Sequence, residues 1–341
     1  MTARAGDRPM AQDSTRRLVP RRALVQGAVA AAASLALPPV RAQGAGPMRW
    51  VVGYPAGGGA DVVTRAVAKT MEPALGGPIE VVNVPGKGGT LAAGQAAKAP
   101  ADGRHLFTAD NGILVYNKAL FKTLPYDPDK DFASIGFMAR TALFIVASPK
   151  SPFKSIQDVL KLSKEEQARL EYASPGAGSP HHLAMELFKQ TTGLQAQHKP
   201  YRGTGMAMPD VVSGKVPLLV VDAAGGMKPM REGQVLPLLS LASFAVPQFR
   251  DVPRPSSIGL WKMNAFASVG LVVPEATPVA ARERLGKALL GAMHQRELTT
   301  RLQDIGWESV AGDAMFMDAY MAAEHLVWPP LIRQLGLELE S

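Results

Sequence analysis

Short apolar runs alternate with segments of helical spacing along most of the chain. The run at 48–54, with Val51 and Val52, predicts a strand. Residues 61–75 then place Val62, Val63, Ala66, Val67 and Met71 on one helical face. A second strand is expected at 79–84, an alanine-rich helix at 90–98 and a third strand at 105–109. Repeated strand, loop and helix units of this size predict a mostly parallel sheet with helices on both faces.

The pattern breaks twice, at the apolar run 141–148 before Pro149 and at 265–273 before Pro274. Between the breaks the alternation restarts, with helices near 155–162, 180–191 and 206–213 and strands near 171–173, 217–221 and 235–241. After the second break, 278–294 and 313–335 read as long amphipathic helices. A chain of 341 residues exceeds what one hydrophobic core usually organises. The expected architecture is therefore α/β with two lobes joined by two crossings, residues 43–144 plus 271–341 forming one lobe and 145–270 the other.

Residues 1–42 do not belong to this pattern. A basic stretch ends at Arg21-Arg22, small apolar residues run from 23 to 37, and Val40-Arg41-Ala42 precedes Gln43. These are the three parts of a secretory signal, too short and alanine-rich for a spanning helix. The pairs Arg16-Arg17 and Arg21-Arg22 resemble a twin-arginine signal, with the general secretion route as the alternative. Cleavage near Gln43 and a periplasmic mature protein are the expectation. This leader also explains most of the charge. Its seven arginines and two aspartates account for five of the eight net positive charges. With the remaining basic residues scattered and aromatic residues at 6%, no nucleic-acid surface is expected. The absence of cysteine removes disulfides, thiol catalysis and cysteine-based metal sites.

The sharpest local feature is Tyr54-Pro55-Ala56-Gly57-Gly58-Gly59-Ala60-Asp61, between the first strand and the first helix. Small residues expose a helix N-terminus, where unpaired N–H groups and the dipole favour an anion. A plain tight turn with Asp61 in the first helical turn reads equally well. Similar junctions recur at 174–182, with Ser179 as N-cap and Pro180 at the first helical position, and at Arg202-Gly203-Thr204-Gly205, with Thr204 as cap. Asp110-Asn111-Gly112 and residues 222–226 also follow apolar strands. Ligands of open α/β sheets sit at such strand ends.

Other chemistries fail on spacing. Residues 85–89 have Val81 and Gly88 where a phosphate-binding loop needs Gly and Ser or Thr. His182 and Glu186 share a helix face, but no second ligand cluster accompanies them, so no metal or cofactor is expected. A hydrolase using Ser179 and His182 is the competing class; their placement on one helical turn makes that geometry awkward.

The segments YPAGGGAD (54–61), NVPGKGGT (83–90), LPYDPDKDF (124–132), YASPGAGSPHHLAMELF (172–188), PYRGTG (200–205) and PEATP (274–278) together resemble the substrate-binding proteins of tripartite tricarboxylate transporters, the TctC or Bug family. The resemblance runs from Trp50 to about Gly336. It implies a type II periplasmic-binding fold and a non-catalytic, monomeric protein. Such a protein captures a dicarboxylate, tricarboxylate, aromatic acid or acidic amino acid for integral membrane transporter subunits, or alternatively for a membrane sensor. By position, Tyr54, Ala56, Gly57 and Gly58 meet the first carboxylate, faced by Gly178, Ser179, His182, Gly203 and Thr204. Asp222 matches an aspartate that accepts a ligand hydrogen bond, and Asn111 and Ser268 complete the expected set. Three departures concern the pocket: Val269 replaces a common Trp, Pro209 falls early in its helix, and Ala223 replaces a frequent Asn.

Overall fold

A computed structural model describes residues 47–339, so the export-signal reading of residues 1–42 lies outside the described part. Strand β1 (Met48–Val52) pairs in parallel with β2 (Ile79–Asn83) and β3 (His105–Asp110). Between them run helices α1 (Gly59–Leu75) and α2 (Thr90–Ala97), as the apolar spacing predicts. The sixteen-residue β4 (Phe132–Ala147) and β9 (Phe266–Pro274) pair with each other antiparallel, and β9 also pairs antiparallel with β3. Over Gly136–Arg140, β4 also holds β10 (Glu308–Asp313).

Partners change abruptly along β4. From Leu143 to Ala147 it pairs with β7 (Leu218–Asp222) and β8 (Leu236–Ser240), and β7 continues through β5 (Glu171–Ser174) to β6 (Gln197–Pro200). The strand order is β2-β1-β3-β9-β4-β7-β5-β6. The expectation of a mostly parallel sheet is therefore corrected: all pairings made by β4 and β9 are antiparallel. Strands that carry the chain between two parallel sets must run back through the sheet. Gly136 serves this crossing, since a Cβ there would stand 2.5 Å from the Gly312 carbonyl oxygen.

The second strand set carries α4 (Ile156–Leu160), α5 (Lys164–Arg169), α6 (Pro180–Thr192), α7 (Thr204–Val212) and α8 (Ala223–Arg231). Ahead of them, α3 (Asn117–Leu120) follows one π turn, Gly112–Tyr116, both absent from the sequence reading. The chain closes with α9 (Val279–Met293), α10 (Arg296–Asp304) and α11 (Ala314–Gln334). Pro209 lies inside α7 without moving its start. One buried cluster gathers Trp50, Met71, Leu271 and Leu289, and a larger one runs from Phe107 and Tyr116 through Phe144 to Leu183 and Val220. Burying each such side chain contributes about 1.5–3 kcal/mol. No described helix is long and apolar enough to cross a membrane.

Candidate functional site

The first turn is fixed by its own polar side chains. Asp61, 2% exposed, accepts hydrogen bonds from the Gly57 N–H (2.8 Å), Arg65 Nε (3.0 Å) and Asn83 Nδ2 (2.9 Å). Burial works to raise the Asp61 pKa, but these donors together hold it below the usual carboxylate range. Asn83 also donates to the Tyr54 carbonyl at 2.9 Å. Gly57 takes φ +80°, a conformation in which L side chains are strained. The N–H of Gly58 donates to the Pro55 carbonyl. Expected donors Gly57 and Gly58 are thus engaged within the turn, and α1 opens at Gly59 with no side-chain cap on Gly58. Ala56 and Gly57 lie on the exposed lip.

Tyr54 points inward, and its hydroxyl donates to Asp110 Oδ2 at 2.5 Å. Burial first, then the Asp110 charge, holds the phenol well above its ordinary pKa, so it remains a donor. Burial also pushes the Asp110 carboxyl up, against the hydrogen bonds from Tyr54 and the Ile113 N–H.

The second turn caps α6 as its sequence predicts. Ser179 Oγ accepts from the His182 N–H (3.3 Å) and donates to the Gly176 carbonyl (2.7 Å). The His182 ring lies beneath the turn, its Nδ1 accepting from the Gly178 N–H at 3.1 Å. Hydroxyl and imidazole therefore each serve the backbone, and Ser179 and His182 do not pair with each other, while Ser174 Oγ lies 2.7 Å from His198 Nε2. Glu186 is held by Tyr172 (2.5 Å) and Lys189 (2.7 Å).

At the third junction the cap falls one residue earlier than expected. Gly203, not Thr204, is the N-cap of α7, with φ +102° and its N–H donated to the Pro175 carbonyl at 2.9 Å. That bond fixes a backbone conformation which glycine alone adopts freely. Asp222 caps α8, accepting from the Gly225 N–H at 2.6 Å, and its other oxygen lies 3.0 Å from His181 Nε2. Burial raises the Asp222 pKa, but the bonds from His181 and Gly225 leave it lowered.

A cavity of about 420 Å³ opens between Tyr54 and the second turn. Its walls are Tyr54, Lys87, Gly88, Gly112, Asn117, Leu120, Phe121, residues 175–180 and Leu339. Its size suits a small molecule. Lys87, at φ +48°, is the sole charged side chain on this wall, and no ion pair engages it among the described residues. Of the expected residues, Tyr54, Gly178 and Ser179 line the cavity. Asn111 and Ser268, each 0% exposed, do not. Asn111 Oδ1 accepts from Ser268 N (2.8 Å) and Oγ (2.7 Å), and its Nδ2 donates to Tyr320 (2.8 Å) and Glu324 (2.7 Å). This sealed network ties α11 to β9.

Four residues near the turns escaped sequence reasoning: Lys87, His181, Trp307 and Leu339. His181 Nδ1 and Trp307 Nε1 are buried without hydrogen-bond partners among the described residues. A Cβ on Gly59 would meet Trp307 Cζ2 at 2.9 Å, so the indole lies against the start of α1. The adjacent histidines offered a signal for His181; Trp307 and Leu339 offered none, being remote in sequence.

Two strand sets joined by long antiparallel strands, with the capped start of α6 at a small-molecule cavity, define a periplasmic-binding-protein fold. The chain belongs to the tripartite tricarboxylate transporter family receptors, which it matches over residues 63–337, a family of binding proteins. A protein of Cupriavidus necator, described as a UPF0065 protein in the gbd 5' region, is 31% identical over 270 residues, covering 78% of this chain and 81% of that one. A protein from R. palustris solved with adipate superposes with a TM-score of 0.78 at 25% identity, covering 86% of this chain and 98% of that one. MatC from Rhodopseudomonas palustris with bound malate gives 0.74 at 29% identity, covering 84% and 98%.

Proposed function

We propose that this chain is the periplasmic receptor that captures a small organic carboxylate and delivers it to integral membrane transporter subunits, acting as a monomer without catalysis. One observation carries this reading: Tyr54, which opens the first turn, and residues 175–180 of the second, far apart in sequence, line one cavity of about 420 Å³. Family membership and the adipate and malate relatives support a carboxylate as the occupant. In this reading, residues 43–144 plus 271–341 and residues 145–270 are the two closing lobes. The change of β4 partners at Leu143 marks a place for the hinge. The ammonium of Lys87 is a ready donor to a carboxylate, while the Tyr54 hydroxyl, its proton given to Asp110, offers the cavity an oxygen lone pair.

A thermal-shift screen of organic acids tests this. An acid at ~100 times its Kd stabilises the protein by ~2.7 kcal/mol. A broad library in which no acid raises Tm contradicts the proposal.

A further inference from the structure

Helix α11 does not fray into solvent at its C-terminus. Gly336 takes φ +61° and donates to the Arg333 carbonyl, while the Leu337 N–H donates to the Ile332 carbonyl. These two bonds are a Schellman motif, which turns the chain sharply at a helix end. The tail is thereby aimed back at the cavity. The Leu339 N–H donates to the Leu120 carbonyl at 2.7 Å, and Leu339 forms a parallel bridge with Phe121. Glu338 adds an exposed ion pair with Lys122 at 3.1 Å.

The Leu339 side chain then meets the second turn. A Cβ on Gly178 would stand 2.8 Å from Leu339 Cδ1 and 2.9 Å from Leu120 Cδ1. Leu339 thus touches both a turn residue expected at the ligand and the α3 side of the cavity, whose wall it completes.

We infer that Leu339 is a specificity-determining residue, forming an apolar end wall that limits the length of the bound acid. The inference rests on the receptor reading above. An acid whose head group is held at the Tyr54 side extends its methylenes toward Leu120, Phe121 and Leu339. Each methylene that fits is removed from water, and the first that does not fit collides with the tail.

The test is calorimetric titration of the mature protein with linear monocarboxylates from butyrate to octanoate, on wild type, Leu339→Ala and Leu339→Phe. Wild type is expected to show a length optimum. Leu339→Ala should move the optimum to longer acids, gaining about fourfold in Kd for each methylene newly accommodated. Leu339→Phe, which keeps an apolar side chain on the core if the alanine variant folds poorly, should move it to shorter ones. Saturable binding by all three proteins with one unchanged length profile overturns the inference and leaves the receptor reading standing. Failure of wild type to bind any organic acid overturns both.

Discussion

His182 lies under the second turn with its ring stacked on His198, centroids 3.7 Å apart and planes within 10°. Burial first, then the neighbouring imidazole, lowers the His182 pKa to about 3. Burial lowers that of His198 to about 4. Both rings are neutral in the native protein near pH 7, and His182 Nδ1 stays free to accept the Gly178 N–H. In the unfolded chain an imidazole titrates near about 6.5. The unfolded state therefore binds more protons between about pH 6.5 and about pH 4, and stability falls as pH falls through that window. Each such proton contributes a slope of about 1.4 kcal/mol per pH unit. Above pH 6.5 the contribution is complete. Urea unfolding from pH 7.5 to 4.5 should give a flatter dependence for His198→Asn than for wild type; identical slopes would refute the buried-neutral account. The place of His182 under the second turn was legible because it follows the Ser179 cap. Its partner His198 was not, because the stacking depends on β5 and β6 pairing in register.

The elements divide by whether local chemistry decides them. Ser179 and Pro180 show a cap and a first helical residue in the sequence itself, and α6 begins there. Replacing Ser179 by Ala removes both the acceptor for the His182 N–H and the donor to Gly176, and should cost about 1 kcal/mol in chemical denaturation. Ser179→Thr should recover most of that loss. An unchanged unfolding midpoint for the alanine variant would remove the cap from the account. The start of α7 was misplaced because the long-range bond from Gly203 to Pro175 decides it. Residues 112–120 were missed because Ile113, Leu114, Val115 and Tyr116 are all buried, leaving no polar face to set a period. Helix α8 holds two glycines and Pro229, poor helix formers that read as a loop. The Asp222 cap and the burial of Ala223, Met227 and Met230 override them.

At the scale of the molecule, the two crossings were visible as apolar runs ending at Pro149 and Pro274. Their antiparallel direction was not, since strand direction is a property of pairing rather than of composition. The resemblance in the turn segments supplied an expectation that periodicity could not, that distant glycine-bearing turns share one cleft. It also placed Asn111 and Ser268 at the ligand; in the structure Ser268 donates to Asn111, and the Asn111 amide donates to Tyr320 and Glu324 of α11. The Leu339 wall depends on how the last helix folds back, which no local pattern encodes. The central claim, that both turns hold one carboxylate guest, is tested most directly by a crystal structure of the protein with the acid that raises Tm most. The account predicts carboxylate oxygens within hydrogen-bond reach of the 54–61 turn, with the 174–182 turn closing the same guest from the opposite side. An acid bound elsewhere, touching neither turn, would contradict it.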